Sequence, residues 1–161
     1  MSINITIKEL RDEDFTSYKK PSMVIGFPSC TFKCERECGC KGMCQNLALV
    51  NAPNIEISMA HIVKRYLDNP ITKAIIMAGL EPFDSWDDLL CLVEAFRRKT
   101  DDTIIVFTGY NEDEIKNRIH VLKKFENIIL KVGRYVPNKP SKYDEVLGVT
   151  LASNNQYAIK I

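Results

Sequence analysis

Apolar residues recur along this chain in two rhythms, one of strands and one of helices. Residues 3–7, Ile-Asn-Ile-Thr-Ile, alternate apolar and polar, which suits a half-buried strand. The charged segment 8–14 reads as a turn or a short helix. Residues 22–27 form a compact apolar run stopped by Pro28, which predicts a buried strand. Met59, Ile62, Val63, Tyr66 and Leu67 then fall at helical spacing behind Ser58, a good N-cap, and Asn69-Pro70 ends that pattern. Residues 74–78 are a short unbroken apolar strand closed by Gly79-Leu80-Glu81-Pro82. A second helix is predicted from about Ser85, with Trp86, Leu89, Leu90, Val93 and Phe96 on one face. Residues 103–107 give the next buried strand, ending in Thr108-Gly109-Tyr110. Asn111 and Glu114 have capping-box spacing before a helix that carries Ile115, Ile119, Leu122 and Phe125. Residues 128–132 and 157–161 complete the strands, and Pro137 and Pro140 interrupt the linker-like segment between them.

Apolar strands alternating with amphipathic helices predict an α/β fold with a mostly parallel sheet covered by helices. In such sheets ligands bind at the carboxyl ends of the strands. The segments 28–46, 79–82 and 108–110 all follow strand ends, so one edge of the sheet gathers every unusual residue. The chain has 161 residues, and we expect a single domain over 1–161. A net charge of +1 argues against a broad nucleic-acid footprint. No apolar run reaches the length of a membrane span, and no targeting segment precedes the first strand, so a cytoplasmic, reducing setting is expected.

That setting changes how the cysteines read. Five of six, Cys30, Cys34, Cys38, Cys40 and Cys44, crowd into one short segment with spacings x3, x3, x1 and x3. Thiols so close need a common partner: each other, a zinc ion or an iron–sulfur cluster. Disulfides suit a secreted mini-domain poorly matched by this chain. Structural zinc usually takes two short hooks, and no second hook is present, while both histidines are distant in sequence. A single thiolate-rich loop after a strand favours a cluster over zinc. Cys91 lies among leucines and reads as a small core residue, and His61 and His120 read as surface or boundary residues. Glu112, Asp113 and Glu114 read as favourable charge at a helix N-terminus.

The ordered set of motifs resembles the radical S-adenosylmethionine superfamily, and within it the anaerobic ribonucleoside-triphosphate reductase activating proteins. The resemblance rests on a C-x3-C pair after a strand, then Cys44-Gln45-Asn46, then Ala78-Gly79-Leu80-Glu81-Pro82. Thr108-Gly109-Tyr110, Gly133-Arg134-Tyr135 and Ser153-Asn154-Asn155-Gln156 follow in the family's order, although Asn155 and Gln156 read equally well as surface polars. The family spaces its cluster ligands C-x3-C-x2-C, commonly with Asn two places after the third; because Cys44 precedes Gln45-Asn46, Cys30, Cys34 and Cys44 match best, with Cys38 and Cys40 inside an insertion and Cys38 the rival third ligand. One glycine of the family's Gly-Gly-acid turn is lost at Leu80. Its aspartates near the fourth strand are replaced by Ile128 and Val132, and its glycine-rich segment by Tyr18-Lys19-Lys20-Pro21.

The resemblance implies an incomplete (β/α) barrel of radical SAM type, a 4Fe-4S cluster on three thiolates, and S-adenosyl-L-methionine on the fourth iron. One-electron reduction of the sulfonium would release methionine and a 5′-deoxyadenosyl radical, chemistry that belongs to the cofactor. Gly79 would let the backbone approach the methionine moiety and Glu81 would meet its ammonium group, with Pro82 completing the turn. Thr108, Gly109 and Tyr110 would face the ribose or adenine. The implied substrate is a glycine on a large anaerobic ribonucleotide reductase subunit, with a low-potential one-electron donor as second partner. A superfamily member acting on a small molecule, and a non-catalytic four-cysteine electron carrier, remain alternatives.

Overall fold

The computed structural model describes residues 3–32, 36–37, 39 and 46–161. Its framework is a six-stranded sheet in the order β10-β7-β6-β5-β3-β2. These strands are β2 (Glu9–Asp14), β3 (Ser22–Phe27), β5 (Ala74–Gly79), β6 (Thr103–Phe107), β7 (Ile128–Val132) and β10 (Tyr157–Lys160). The four central strands pair in parallel, and β2 and β10 close the two edges antiparallel. A small antiparallel pair joins β1 (Asn4–Ile7) to β4 (Ile55–Ser58), and a second joins β8 (Lys142–Asp144) to β9 (Val149–Leu151).

Chain order explains how the layers form. The strands β3, β5, β6 and β7 sit side by side in the order in which they are made, so each crossover steps the same way. Right-handed crossovers stepping in one direction place their helices on one face. The helices are α1 (Leu47–Val50), α2 (Met59–Leu67), α3 (Trp86–Arg97) and α4 (Lys116–Leu122). Met59, Ile62, Val63 and Tyr66 of α2, with Leu89, Leu92, Val93 and Phe96 of α3 and Ile119 and Leu122 of α4, pack in one core. That core takes alternate strand residues, among them Met23 and Ile25, Ile75 and Met77, Ile104 and Val106, and Ile128 and Leu130. The intervening residues Val24, Ile76, Ile105 and Ile129 point the other way, where Tyr18, Leu147 and Leu151 cover them. The second face is thus roofed by the loop after β2 and the β8–β9 hairpin.

Local signals hold where expected. The Ser58 hydroxyl accepts the His61 N–H at 3.0 Å and starts α2, and Glu114 Oε1 accepts the Asn111 N–H at 3.0 Å. A 3₁₀ turn over Glu112–Ile115 separates that cap from α4. Cys91 is half-buried against the helical core. Residues 9–14 of the segment 8–14 are a correction, since they form strand β2 rather than a turn or helix. Its Glu-Leu-Arg-Asp-Glu-Asp sequence hides the strand because β2 is an edge, where charge and a register shift between Arg11 and Asp14 discourage further pairing. Among the described residues, no helix is long and apolar enough to cross a membrane.

Gly79 ends β5 at φ +89°, in the left-handed region, and a Cβ there would come within 2.5 Å of Gly26 Cα and also meet the Phe27 nitrogen. This glycine is therefore demanded by the close approach of β3. Gly79→Ala is expected to cost roughly 2–6 kcal/mol, the left-handed strain of a side chain added to an overpacked backbone contact. Chemical denaturation of the purified protein checks this, and an unchanged midpoint would contradict it.

Candidate iron–sulfur and cofactor site

Backbone groups at strand ends need partners, and here side chains supply them. The chain leaves β5 through Gly79 and Leu80, whose N–H donates to Phe27 O at 3.1 Å. Glu81 N–H donates to Ser29 O at 2.8 Å, so the β5 exit and the β3 exit are stitched together. The Glu81 side chain then caps a 3₁₀ turn over Pro82–Ser85 by accepting the Phe83 N–H at 3.1 Å. Its Oε1 also accepts the Thr108 hydroxyl at 2.8 Å, and its Oε2 accepts the Gly109 N–H at 2.8 Å. One carboxyl group, only 5% exposed, therefore ties the ends of β5 and β6.

Asp84, in the same 3₁₀ turn, adds a second tie. Its Oδ2 accepts the Thr31 N–H at 3.0 Å and its Oδ1 accepts the Tyr110 hydroxyl at 2.6 Å. Burial, helped by the Asp84 carboxylate, pushes Tyr110 up to about 12. On the far side Asn46 Nδ2 donates to Gly79 O at 2.7 Å, which fixes the end of the cysteine segment on β5. Arg134 reaches Glu114 Oε2 at 2.6 Å through Nη2 and lies 3.1 Å from Glu37 Oε2 through Nε. Of the described residues in the cysteine segment, Thr31 thus meets Asp84, Glu37 forms an ion pair with Arg134, and Asn46 meets Gly79.

These ends surround a cavity of about 410 Å³. Cys30, Asn46, Gly79, Glu81, Thr108 and Gly109 line its rim, and Ile76, Ala78, Phe107 and Lys131 line its floor on the second sheet face. Four of the six residues expected at the cofactor thus share one cavity. Pro82 and Tyr110 do not line it: Pro82 is buried in the 3₁₀ turn, and Tyr110 packs against the helical core with its hydroxyl on Asp84. The reason given for Gly79 also changes, because the direction its Cβ would take is filled by β3 rather than by the cavity.

Among the expected metal ligands, Cys30 is described and Cys34 and Cys44 lie outside the described residues, as do Cys38 and Cys40. Among the described residues, no group of three or more His, Cys, Asp or Glu side chains gathers as a metal site. Cys30 itself fits a cluster thiolate. It is half-buried at the cavity wall, and its Sγ accepts the Phe32 N–H at 3.2 Å. Hydrogen bonds to the sulfurs are one of the levers that set a cluster's potential.

Sequence reasoning missed Asp84, an acidic residue in the 3₁₀ turn that Glu81 caps. It also left Gln156 open as a surface residue, whereas Gln156 is buried at 3% exposure. Its Oε1 accepts the Ser153 N–H at 3.2 Å and its Nε2 donates to Gly133 O at 3.2 Å, while Asn155 Nδ2 donates to Arg134 O at 2.8 Å. The Ser-Asn-Asn-Gln segment is therefore a clamp on the turn after β7.

Burial raises Glu81 to about 7, outweighing the hydrogen bonds from Gly109, Thr108 and Phe83 that favour its ionised form. A carboxyl whose folded value lies above its unfolded 4.5 contributes stability in full below that value, and the contribution fades as pH rises to about 7. Thermal melts between those limits should show wild-type stability falling relative to Glu81→Gln, which has no proton to lose. Parallel pH profiles for the two proteins would contradict the shift.

A comparison with curated proteins and one with solved structures each found no match. A family model described as a 4Fe-4S single cluster domain matches residues 23–158, from the first residues of β3 into β10. The match spans the cysteine segment, Glu81, Thr108 and the clamp at Gln156. The chain belongs to the 4Fe-4S single cluster domain family and is an iron–sulfur protein.

Proposed function

We propose that this protein is a radical S-adenosylmethionine activating enzyme, which places a glycyl radical on a large anaerobic ribonucleotide reductase subunit. The observation that carries the reading is the cavity that joins Cys30 to Gly79, Glu81, Thr108 and Gly109. An electron carrier has no need of a cavity this size beside a cluster thiolate. The one-way stepping of the parallel strands, with helices on one face, also suits an incomplete (β/α) barrel whose inner face is that cavity floor. The ordered motifs from Cys30 to Gln156 supply the family expectation.

Cys30, Cys34 and Cys44 would hold the 4Fe-4S cluster. When bound, it supplies the electron that cleaves S-adenosylmethionine to methionine and a 5′-deoxyadenosyl radical able to take a glycine Cα hydrogen. The chain's own residues bind and orient. Glu81, raised by burial, would ionise when the cofactor's ammonium group approaches, because an opposite charge at close range favours the charged form. The Thr108 hydroxyl and Gly109 N–H already hold that carboxyl in place, so the cofactor meets a fixed acceptor. Ile76, Ala78 and Phe107 would give the cofactor apolar surface to pack on, beside the Lys131 ammonium. A low-potential one-electron donor completes the set of partners.

Anaerobically reconstituted protein tests this directly. S-adenosylmethionine should change the EPR spectrum of the reduced protein, and a strong reductant should then yield 5′-deoxyadenosine and methionine. Glu81→Gln should weaken cofactor binding by about 10- to 100-fold while leaving iron content unchanged, the loss of one hydrogen bond to a charged group. An unchanged spectrum with no deoxyadenosine would sink the enzyme in favour of a four-cysteine carrier. Cofactor cleavage with no glycyl radical on a co-expressed reductase subunit would point to a small-molecule substrate instead.

A further inference from the structure

The turn after Cys30 is strained. Phe32 has φ +56°, a left-handed backbone at an aromatic residue. Such a conformation persists only where its surroundings over-determine it. Two contacts come from within the cysteine segment: Phe32 N–H donates to Cys30 Sγ at 3.2 Å, and Arg36 N–H donates to Phe32 O at 3.1 Å. Asp84, from another part of the chain, adds a third by accepting the Thr31 N–H at 3.0 Å. The carboxylate that does so is itself well anchored. It follows fully buried Phe83, whose ring stacks on Trp86 at 5.8 Å between centroids and whose carbonyl accepts Arg118 Nη1 at 2.7 Å. Its other oxygen is occupied by the Tyr110 hydroxyl.

We propose that Asp84 is a positioning residue for the cluster: by holding the Thr31 amide it fixes the strained turn that aims the Cys30 thiolate. This rests on Cys30 being a cluster ligand. The Thr31 amide lies between Cys30 and Phe32, so releasing it frees the backbone on both sides of the Sγ contact. Asp84 does not itself line the cavity, and its carboxylate meets the loop at the Thr31 amide. Glu81, three residues earlier, ties β5 to β6, whereas Asp84 carries the same framework across to the cysteine segment.

The test compares reconstituted wild-type, Asp84→Ala, Asp84→Asn and Tyr66→Phe proteins. Tyr66→Phe removes the buried hydroxyl that donates to Asp102 at 2.5 Å, and so lowers stability away from the loop. Asp84→Ala should release iron to a chelator on the order of 10-fold faster, the loss of one hydrogen bond to a charged acceptor, and shift the EPR spectrum of the reduced protein. Asp84→Asn keeps an oxygen for the Thr31 amide and should behave like wild type, as should Tyr66→Phe despite its lower Tm. Unchanged release and EPR in Asp84→Ala overturn the proposal, as does faster release in every variant in step with Tm. Should Asp84→Ala not fold, hydrogen exchange at Thr31 in the wild-type holoprotein decides, protection supporting the proposal and unprotected exchange overturning it. Loss of the cluster in Cys30→Ala with normal release in Asp84→Ala overturns the positioning role alone. A full cluster in Cys30→Ala overturns the ligand assignment and this proposal with it.

Discussion

The buried Glu81 carboxyl is the constraint from which the site follows. Parallel strands finish together at one edge, where their last N–H and C=O groups run out of ladder partners. Here one side chain takes the Phe83 and Gly109 N–H groups and the Thr108 hydroxyl, while its own backbone N–H serves Ser29 O. Burying a carboxyl is costly unless its oxygens are occupied or a proton is retained. Both answers are present, since every bond is made and Glu81 is still raised to about 7. The exits of β3, β5 and β6 thereby become a single rim. A group that is held in place, desolvated and ready to ionise is what a cationic ligand needs.

From that rim the cysteine segment is held by three longer reaches. Asp84 reaches Thr31, Arg134 reaches Glu37, and Asn46 reaches Gly79 O. Arg134 is kept in position by Glu114 on one side and by the Asn155 and Gln156 clamp on the other. Gly79 joins the two layers of this scheme, because its missing Cβ lets β3 approach while its carbonyl receives Asn46.

The central strands were legible because both of their faces are buried, which leaves unbroken apolar runs such as residues 74–78. Helix α2 was legible from its apolar stripe and from Ser58. Strand β2 was not, because an edge strand with charged residues has the composition of a turn. The strands β8 and β9 span three residues each, too short for periodicity to register. The strand-end argument gathered 79–82 and 108–110 at one edge and the resemblance implied a role for Glu81, Thr108 and Gly109, three residues that line one cavity. Asp84 escaped because its partner Thr31 lies 53 residues away, and no local pattern encodes a contact of that span. Gln156 escaped because a polar residue before an edge strand gives no sign of burial, although here it clamps Gly133.

What the proposed function adds to the rim, the cavity and the iron–sulfur family is the claim that S-adenosylmethionine binds at the cluster, in contact with it. Electron–nuclear double resonance on the reduced protein, with cofactor carrying an isotopically labelled amino nitrogen, tests this most directly. A hyperfine coupling between that nitrogen and the cluster is the result that the proposed function predicts for a cavity shared by Glu81 and Cys30. Absence of the coupling under saturating cofactor, with the cluster intact, would contradict the account.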